Sequence, residues 1–112
     1  MPQTAGIYYC MSQSGQPDHR PPLLLIHGAG ACHLCWPAEL RRLSGYTVYT
    51  LDLPGHGKSA GIGQHTIAAY AAKVIEFLSA MGIYHATLIG HSMGGAIALQ
   101  AAYEYPNQVS AL

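Results

Sequence analysis

Ser92 stands in the run Leu88-Ile89-Gly90-His91-Ser92-Met93-Gly94-Gly95, with glycine two places before it and again two and three places after. A serine hydroxyl that attacks a carbonyl must stand clear of its own backbone. A sharp turn from strand to helix achieves this, but it forces the serine into a strained conformation. The residues two before and two after must then be small, because strand and helix come close together there. Gly90 and Gly94 meet that need, and Gly95 extends the room on the helix side. The same turn sets Ser92 at a helix N-terminus, where free N–H groups favour developing negative charge. There the backbone N–H of Met93 points to the oxygen of a tetrahedral intermediate. The chemistry on offer is acyl transfer through a covalent intermediate at Ser92.

Such a serine needs a histidine to take its proton and an acid to orient that histidine. Seven histidines are present, and none follows Ser92. His91 adjoins the serine in sequence, so its side chain projects differently. His56 reads as part of a turn, His85 as the start of a strand, and His19, His33 and His65 as loop residues. Each has a structural or solvent-exposed reading. Glu104 is the only carboxylate after Ser92. It falls on the helix that follows the serine, several turns from the sheet edge that would carry the chemistry.

The elements that position Ser92 are legible from periodicity. Residues 6–13, GIYYCMSQ, have strand character, and the turn-rich SGQPDHRPP follows. LLLI, residues 23–26, is the short apolar run of a strand buried on both faces. WPAELRRL, residues 36–43, predicts a short helix with Pro37 in its first turn and Gly45 beyond its end. TVYTLDL, residues 47–53, predicts a second strand closed by Pro54-Gly55-His56-Gly57. Ile67, Ala71, Val74, Ile75 and Leu78 recur at helical spacing between Thr66 and Met81, with Gly82 as the stop. HATLIG, residues 85–90, is a third core strand, and a helix runs from Met93 to about Tyr105, ended by Pro106. VSAL opens a further strand. Alternating strands and helices of this kind specify an α/β fold, a mostly parallel sheet with right-handed βαβ crossovers.

Composition closes off several function classes. The chain has 112 residues, half of them hydrophobic and 9% charged, against roughly 25% charged in an average soluble domain. So few charges suit strands buried on both faces, or a piece of a larger body. Lysine plus arginine and aspartate plus glutamate both number five, which removes the electrostatic case for nucleic acid. The N-terminus has neither the charged nor the apolar region of a secretory signal. Three cysteines, Cys10, Cys32 and Cys35, are an odd count that argues against a disulfide framework. A cytoplasmic location is expected. The apolar stretch 86–103 is interrupted by His91, Ser92, Gln100 and glycines, so no membrane span is expected.

Three other motifs fail on their context. Gly57-Lys58-Ser59 would need a glycine where Asp52 stands to be a phosphate loop. Gly28-Ala29-Gly30 has His33 in place of the third glycine of a dinucleotide fingerprint. Cys32-His33-Leu34-Cys35 lacks the second pair that a metal site usually needs, and it reads as loop and helix entry under a packed Trp36. No metal and no cofactor is therefore expected.

Four features in order carry a resemblance: His27-Gly28-Ala29-Gly30, Asp52-Leu53-Pro54-Gly55-His56-Gly57-Lys58-Ser59, the helix after it, and Gly90-His91-Ser92-Met93-Gly94-Gly95. From about Leu23 to Leu112 the chain resembles the Ser-nucleophile, esterase- or lipase-like branch of the α/β-hydrolase family. The resemblance implies that the backbone N–H of Ala29 is the second oxyanion donor beside Met93, with His27 and Gly28 supporting that loop. It implies that Asp52 is structural. It also implies the chain order serine, acid, histidine, so residues 1–112 would be the N-terminal portion of one α/β-hydrolase domain, an incomplete fold carrying nucleophile and oxyanion hole only. The implied activity is hydrolysis of an ester or related acyl bond in a small-molecule substrate. Serine rather than aspartate at the elbow disfavours the dehalogenase and epoxide-hydrolase branches, while C–C bond hydrolases and haloperoxidase-like members share these motifs. Alone, such a chain is expected to be inactive or very weak, and to associate with itself or with a complementing chain through an open sheet edge. The alternative function is a non-catalytic interaction module or a complementing half-domain.

Overall fold

A computed structural model describes residues 3–13, 20–59 and 61–112. His19 and most of the turn-rich connection before Pro21 lie outside the described residues. Six strands, β1 (Gln3–Thr4), β2 (Ile7–Gln13), β3 (Leu23–Ile26), β4 (Thr47–Leu51), β5 (Ala86–Gly90) and β6 (Val109–Ala111), form one sheet. Their order is β1-β2-β4-β3-β5-β6. β1 and β2 pair antiparallel, as do β2 and β4, while β4, β3, β5 and β6 run parallel. The result is a mixed α/β sheet with its parallel half around β3.

The reason β3 sits at the centre is its composition. All four of its residues are buried, with Leu24 and Ile26 facing one side and Leu23 and Leu25 the other, as strand alternation requires. On the first side Leu24 and Ile26 join Ile7, Leu51 and Leu53 and pack against helix α2 (Ile67–Ala80) and helix α3 (Met93–Glu104). On the second side Leu23, Leu25 and Val48 meet Trp36, Leu40 and Leu43, around the short helix α1 (Ala38–Arg41).

α2 is bounded as its sequence predicts. Thr66 caps its N-terminus by accepting the Ala69 N–H at 3.0 Å, and Gly82 leaves the last turn with φ +74°. α1 is shorter than the helix expected over 36–43. Residues His33–Cys35 form a 3-10 turn, Pro37 is the N-cap, and Arg42 already leaves helical geometry at φ −120°, ψ 33°. β4 stops at Leu51, two residues short of expectation, because Ser59 Oγ stands between the Tyr8 N–H and Asp52 O and replaces the return bond of the ladder with β2. Asp52 N–H donates to Tyr8 O at 2.9 Å and Leu53 N–H to the His27 ring at 3.0 Å. His85 lies just ahead of β5 and not within it, and is exposed.

β6 modifies one expectation about the sheet edge. It pairs with β5 at Ala86↔Val109 and Thr87↔Ala111. The residues of β5 nearest Ser92 lie beyond that pairing. Among the described residues no helix is long and apolar enough to cross a membrane.

Candidate active site

β5 delivers the chain to the sheet's C-terminal end. His91 N–H still donates to Ile26 O at 3.1 Å, in continuation of the ladder. Then Ser92 takes φ +58°, ψ −120°, and α3 begins at the next residue. A positive φ in a residue with a Cβ is strained, and such strain concentrates where side chains must be aimed. Gly95 N–H and Ala96 N–H both donate to Ser92 O, at 2.9 and 3.3 Å, which fixes the first helical turn on the serine.

Two of the three glycines are sterically obligatory. A Cβ on Gly90 would overlap the backbone of Gly94, and a Cβ on Gly94 would overlap the carbonyl of Ile26. Gly95 differs from expectation: a Cβ there would meet Gly90 O at 3.5 Å, an ordinary contact. The strand and helix approach each other at Gly90 and Gly94 and have already diverged one residue later.

The loop after β3 lies against the serine. A Cβ on Gly28 would stand 3.2 Å from Ser92 Cβ and 3.7 Å from its Oγ. The loop turns at Gly28–Ala31, closed by Ala31 N–H donating to Gly28 O at 3.2 Å, with Gly30 at φ +75° as its left-handed third residue. His27 holds this turn from below. Its Nε2 accepts the Leu53 N–H at 3.0 Å, so its proton is on Nδ1, which donates to Gly28 O at 2.7 Å. Burial pushes the His27 ring below its ordinary pKa, against a smaller opposing pull from Gly28 O, so the neutral form that this bonding requires is favoured. The N–H groups of Ala29 and Met93 have no hydrogen-bond partner among the described residues.

Ser92 is exposed and its hydroxyl also has no partner among the described residues. Among the described residues no histidine is hydrogen-bonded to Ser92. The His91 ring lies edge-on to Trp36 at 6.4 Å, His56 pairs with Pro54 O, and His65 is exposed. Glu104 sits at the exposed end of α3, where Gln100 bonds to it.

Asp52 is the residue whose surroundings sequence reasoning understated. It is fully buried, and its Oδ1 accepts both the backbone N–H of His33 at 2.6 Å and the His33 ring Nδ1 at 2.8 Å. Oδ2 accepts the Lys58 N–H at 2.8 Å. Burial by itself disfavours the carboxylate, but these donors outweigh it and hold the Asp52 pKa below the usual range. Gly57, at φ +51°, presses so closely on the carboxyl that any side chain there would overlap it. Ser59 Oγ closes the knot by bonding to Asp52 O and accepting the Tyr8 N–H at 2.9 Å. His33, expected in a loop, is a buried member of this knot. Its spacing from Asp52 carries no periodic signal that could have revealed the pairing.

Two hollows flank the serine. One, of about 300 Å³, is lined by Gly28, Ala31, Cys35, Trp36 and His91. The other is an open groove of about 670 Å³ that runs past Gly90, Ser92 and Gly95 to Leu99 and Leu112.

Residues 21–112 match the family model of the alpha/beta hydrolase fold. The chain belongs to the α/β-hydrolase family. It is similar to pimeloyl-[acyl-carrier protein] methyl ester esterase of Klebsiella pneumoniae, with 35% identity over 91 residues, covering 80% of this chain and 34% of the esterase. Its structure superposes on a thermophilic esterase from Thermogutta terrifontis with TM-score 0.79 at 28% identity, covering 92% of this chain and 37% of that one. A bacterial membrane phospholipase A gives TM-score 0.76 at 36% identity, covering 94% and 38%. This α/β-hydrolase chain spans 24% to 34% of the length of the curated relatives it matches.

Proposed function

We propose that the chain is the nucleophile-bearing part of a serine hydrolase that cleaves an ester or related acyl bond. The observation that carries this reading is Ser92 itself, exposed at φ +58° between two glycines that tolerate no side chain, beside a Met93 N–H that has no partner among the described residues. In the proposed reaction Ser92 Oγ attacks the acyl carbon and the carbonyl π electrons move to oxygen. The N–H groups of Ala29 and Met93 receive that oxyanion, a base takes the Ser92 proton and returns it to the leaving oxygen, and the alcohol departs as the ester C–O bond breaks and the acyl-enzyme forms. Water then releases the acid. Each oxyanion donor is worth roughly 100- to 1,000-fold in rate. His27 and Gly28 keep the Ala29 loop in place and take no part in proton transfer.

The base and acid are assigned to parts of the protein outside residues 1–112, for which the greater length of the relatives leaves room. The similarity to a methyl ester esterase and to two ester-cleaving enzymes of known structure supports an ester as the substrate class. The test is labelling of the full-length protein by a fluorophosphonate, read by the mass of the modified peptide. Modification at Ser92, lost in Ser92→Ala together with ester hydrolysis, is the expected result. Labelling elsewhere, or undiminished hydrolysis by Ser92→Ala, overturns the reading.

A second reading is favoured by one observation, the exposure of Leu99 (63%), Tyr103 (83%) and Leu112 (57%) on one side of the molecule. On that reading the chain is a complementing half-domain, and its partner adds strands beyond β6. Ser92→Ala then leaves partner binding intact.

A further inference from the structure

The fold gives the Cys32-His33 pair a third companion that comes from another strand. Asp52, at the end of β4, lies 19 positions away in sequence, yet its carboxylate is bonded to His33. One potential ligand atom from each of Cys32, His33 and Asp52 falls within 4.8 Å of the others. We propose that these three residues form a binding site for one Zn²⁺ ion, separate from the Ser92 chemistry.

The donor set argues for that ion. Thiolate, imidazole and carboxylate are the ligand types of zinc, and three protein ligands with an open fourth position are a common arrangement. Calcium and magnesium prefer oxygen alone. Charge argues the same way. A thiolate and a carboxylate together neutralise a divalent cation, so the loaded site, in which Asp52 and His33 are buried, carries no net charge. Cys32 is only half-buried and leaves a route for the ion to enter.

The carboxylate is also oriented for the purpose. The backbone N–H groups of His33 and Lys58 hold Asp52 Oδ1 and Oδ2 independently of the His33 ring. Both bonds persist when the ring–carboxylate bond is exchanged for the metal, and they supply the outer hydrogen bonds that metal ligands normally have. Tetrahedral zinc with bonds of about 2.0–2.1 Å places nitrogen and oxygen ligands about 3.3 Å apart. His33 Nδ1 and Asp52 Oδ1 stand at 2.8 Å. The two side chains therefore separate by about half an ångström. The proton balance is simple. The Cys32 thiol proton passes to solvent, and with His33 neutral its ring proton moves from Nδ1 to Nε2, so one proton is released per ion. An ion held there ties the segment directly following Ala29 to the end of β4.

The test is calorimetric titration of the full-length protein with Zn²⁺, repeated with Co²⁺, whose absorption reports thiolate ligation. Cys35, exposed and outside the ligand set, provides the control. One ion per chain is expected, with a cobalt–thiolate band that Cys32→Ser removes and Cys35→Ser leaves. Cys32→Ser should lower zinc affinity by more than the roughly 10- to 100-fold that loss of an outer partner costs. His33→Asn should lower it likewise, and circular dichroism checks that both variants are folded. No binding at this stoichiometry, equal affinity in Cys32→Ser, or equal loss in Cys35→Ser overturns the proposal.

Discussion

The two ends of the parallel half of the sheet are built to different standards. Around Asp52 and His27 nearly every polar atom has a partner within 2.6–3.0 Å, most of them buried. At the β6 side, pairing reaches only Ala86 and Thr87, and Leu99 and Leu112 border an open groove. The serine sits at the seam between these regions. On one side its neighbour His91 bonds to Ile26 and its side chain lies against Gly28, while on the other it borders the open groove. The braced side carries the strained turn and, on the proposed reading, the oxyanion donors. The open side is where, on the proposed reading, a base and a substrate arrive.

The comparison breaks most visibly at Ser92. In the full-length protein Ser92→Ala is expected to lower the ester hydrolysis rate by about a millionfold, with the melting temperature little changed. A similar drop in stability would mean that the hydroxyl is structural. Gly94→Ala tests the braced side directly. Its Cβ meets the Ile26 carbonyl, and an overpacked site of this kind costs about 1–3 kcal/mol or more, measurable by urea unfolding.

Acid sharpens the contrast further. The pKa of buried His27 is lowered in the fold, so the unfolded chain takes up a proton more readily. Its contribution to stability is intact above the unfolded value of about 6.5 and is lost as pH falls from there through the folded value. Urea midpoints measured between pH 8 and 5 should decline, and His27→Asn should flatten that decline. On the open side, Leu99→Ser should change stability by less than about 0.5 kcal/mol yet reduce any self-association seen by sedimentation. The smallest effect is Gly95→Ala. With room for its Cβ and a helical position, it should be neutral or stabilising by up to about 1 kcal/mol in the same unfolding assay.

The parts of the molecule governed by local rules were legible in the sequence. LLLI announced a strand buried on both faces, Thr66 and Gly82 bounded α2, and Gly90 and Gly94 declared a close approach of strand and helix. Local rules failed where a tertiary partner decided the outcome. β4 ends early because Ser59 Oγ replaces the return bond between Tyr8 and Asp52 and the His27 ring captures the Leu53 N–H. The 3-10 turn at His33–Cys35, which brings His33 to Asp52, was not expected either. That Gly95, expected to extend the room beside Gly94, has space for a Cβ is a distance that residue identity does not carry. The pairing of His33 with Asp52 joins a turn to a strand end, and neither periodicity nor spacing encodes such a contact.

The Asp52 knot has a consequence for the order in which the molecule is made. Its bonds span 6, 19 and 51 positions, from Tyr8 to Ser59, and the His27–Leu53 bond spans 26. All of these partners precede Ser92 by more than a β–α unit. A chain emerging from the ribosome N-terminus first can therefore pair β2, β4 and β3 and seat the loop at Gly28–Ala31 before Ser92 has been synthesised. β5 then adds to a finished edge of β3, and the strained turn at Ser92 is formed against a surface already rigid enough to impose it.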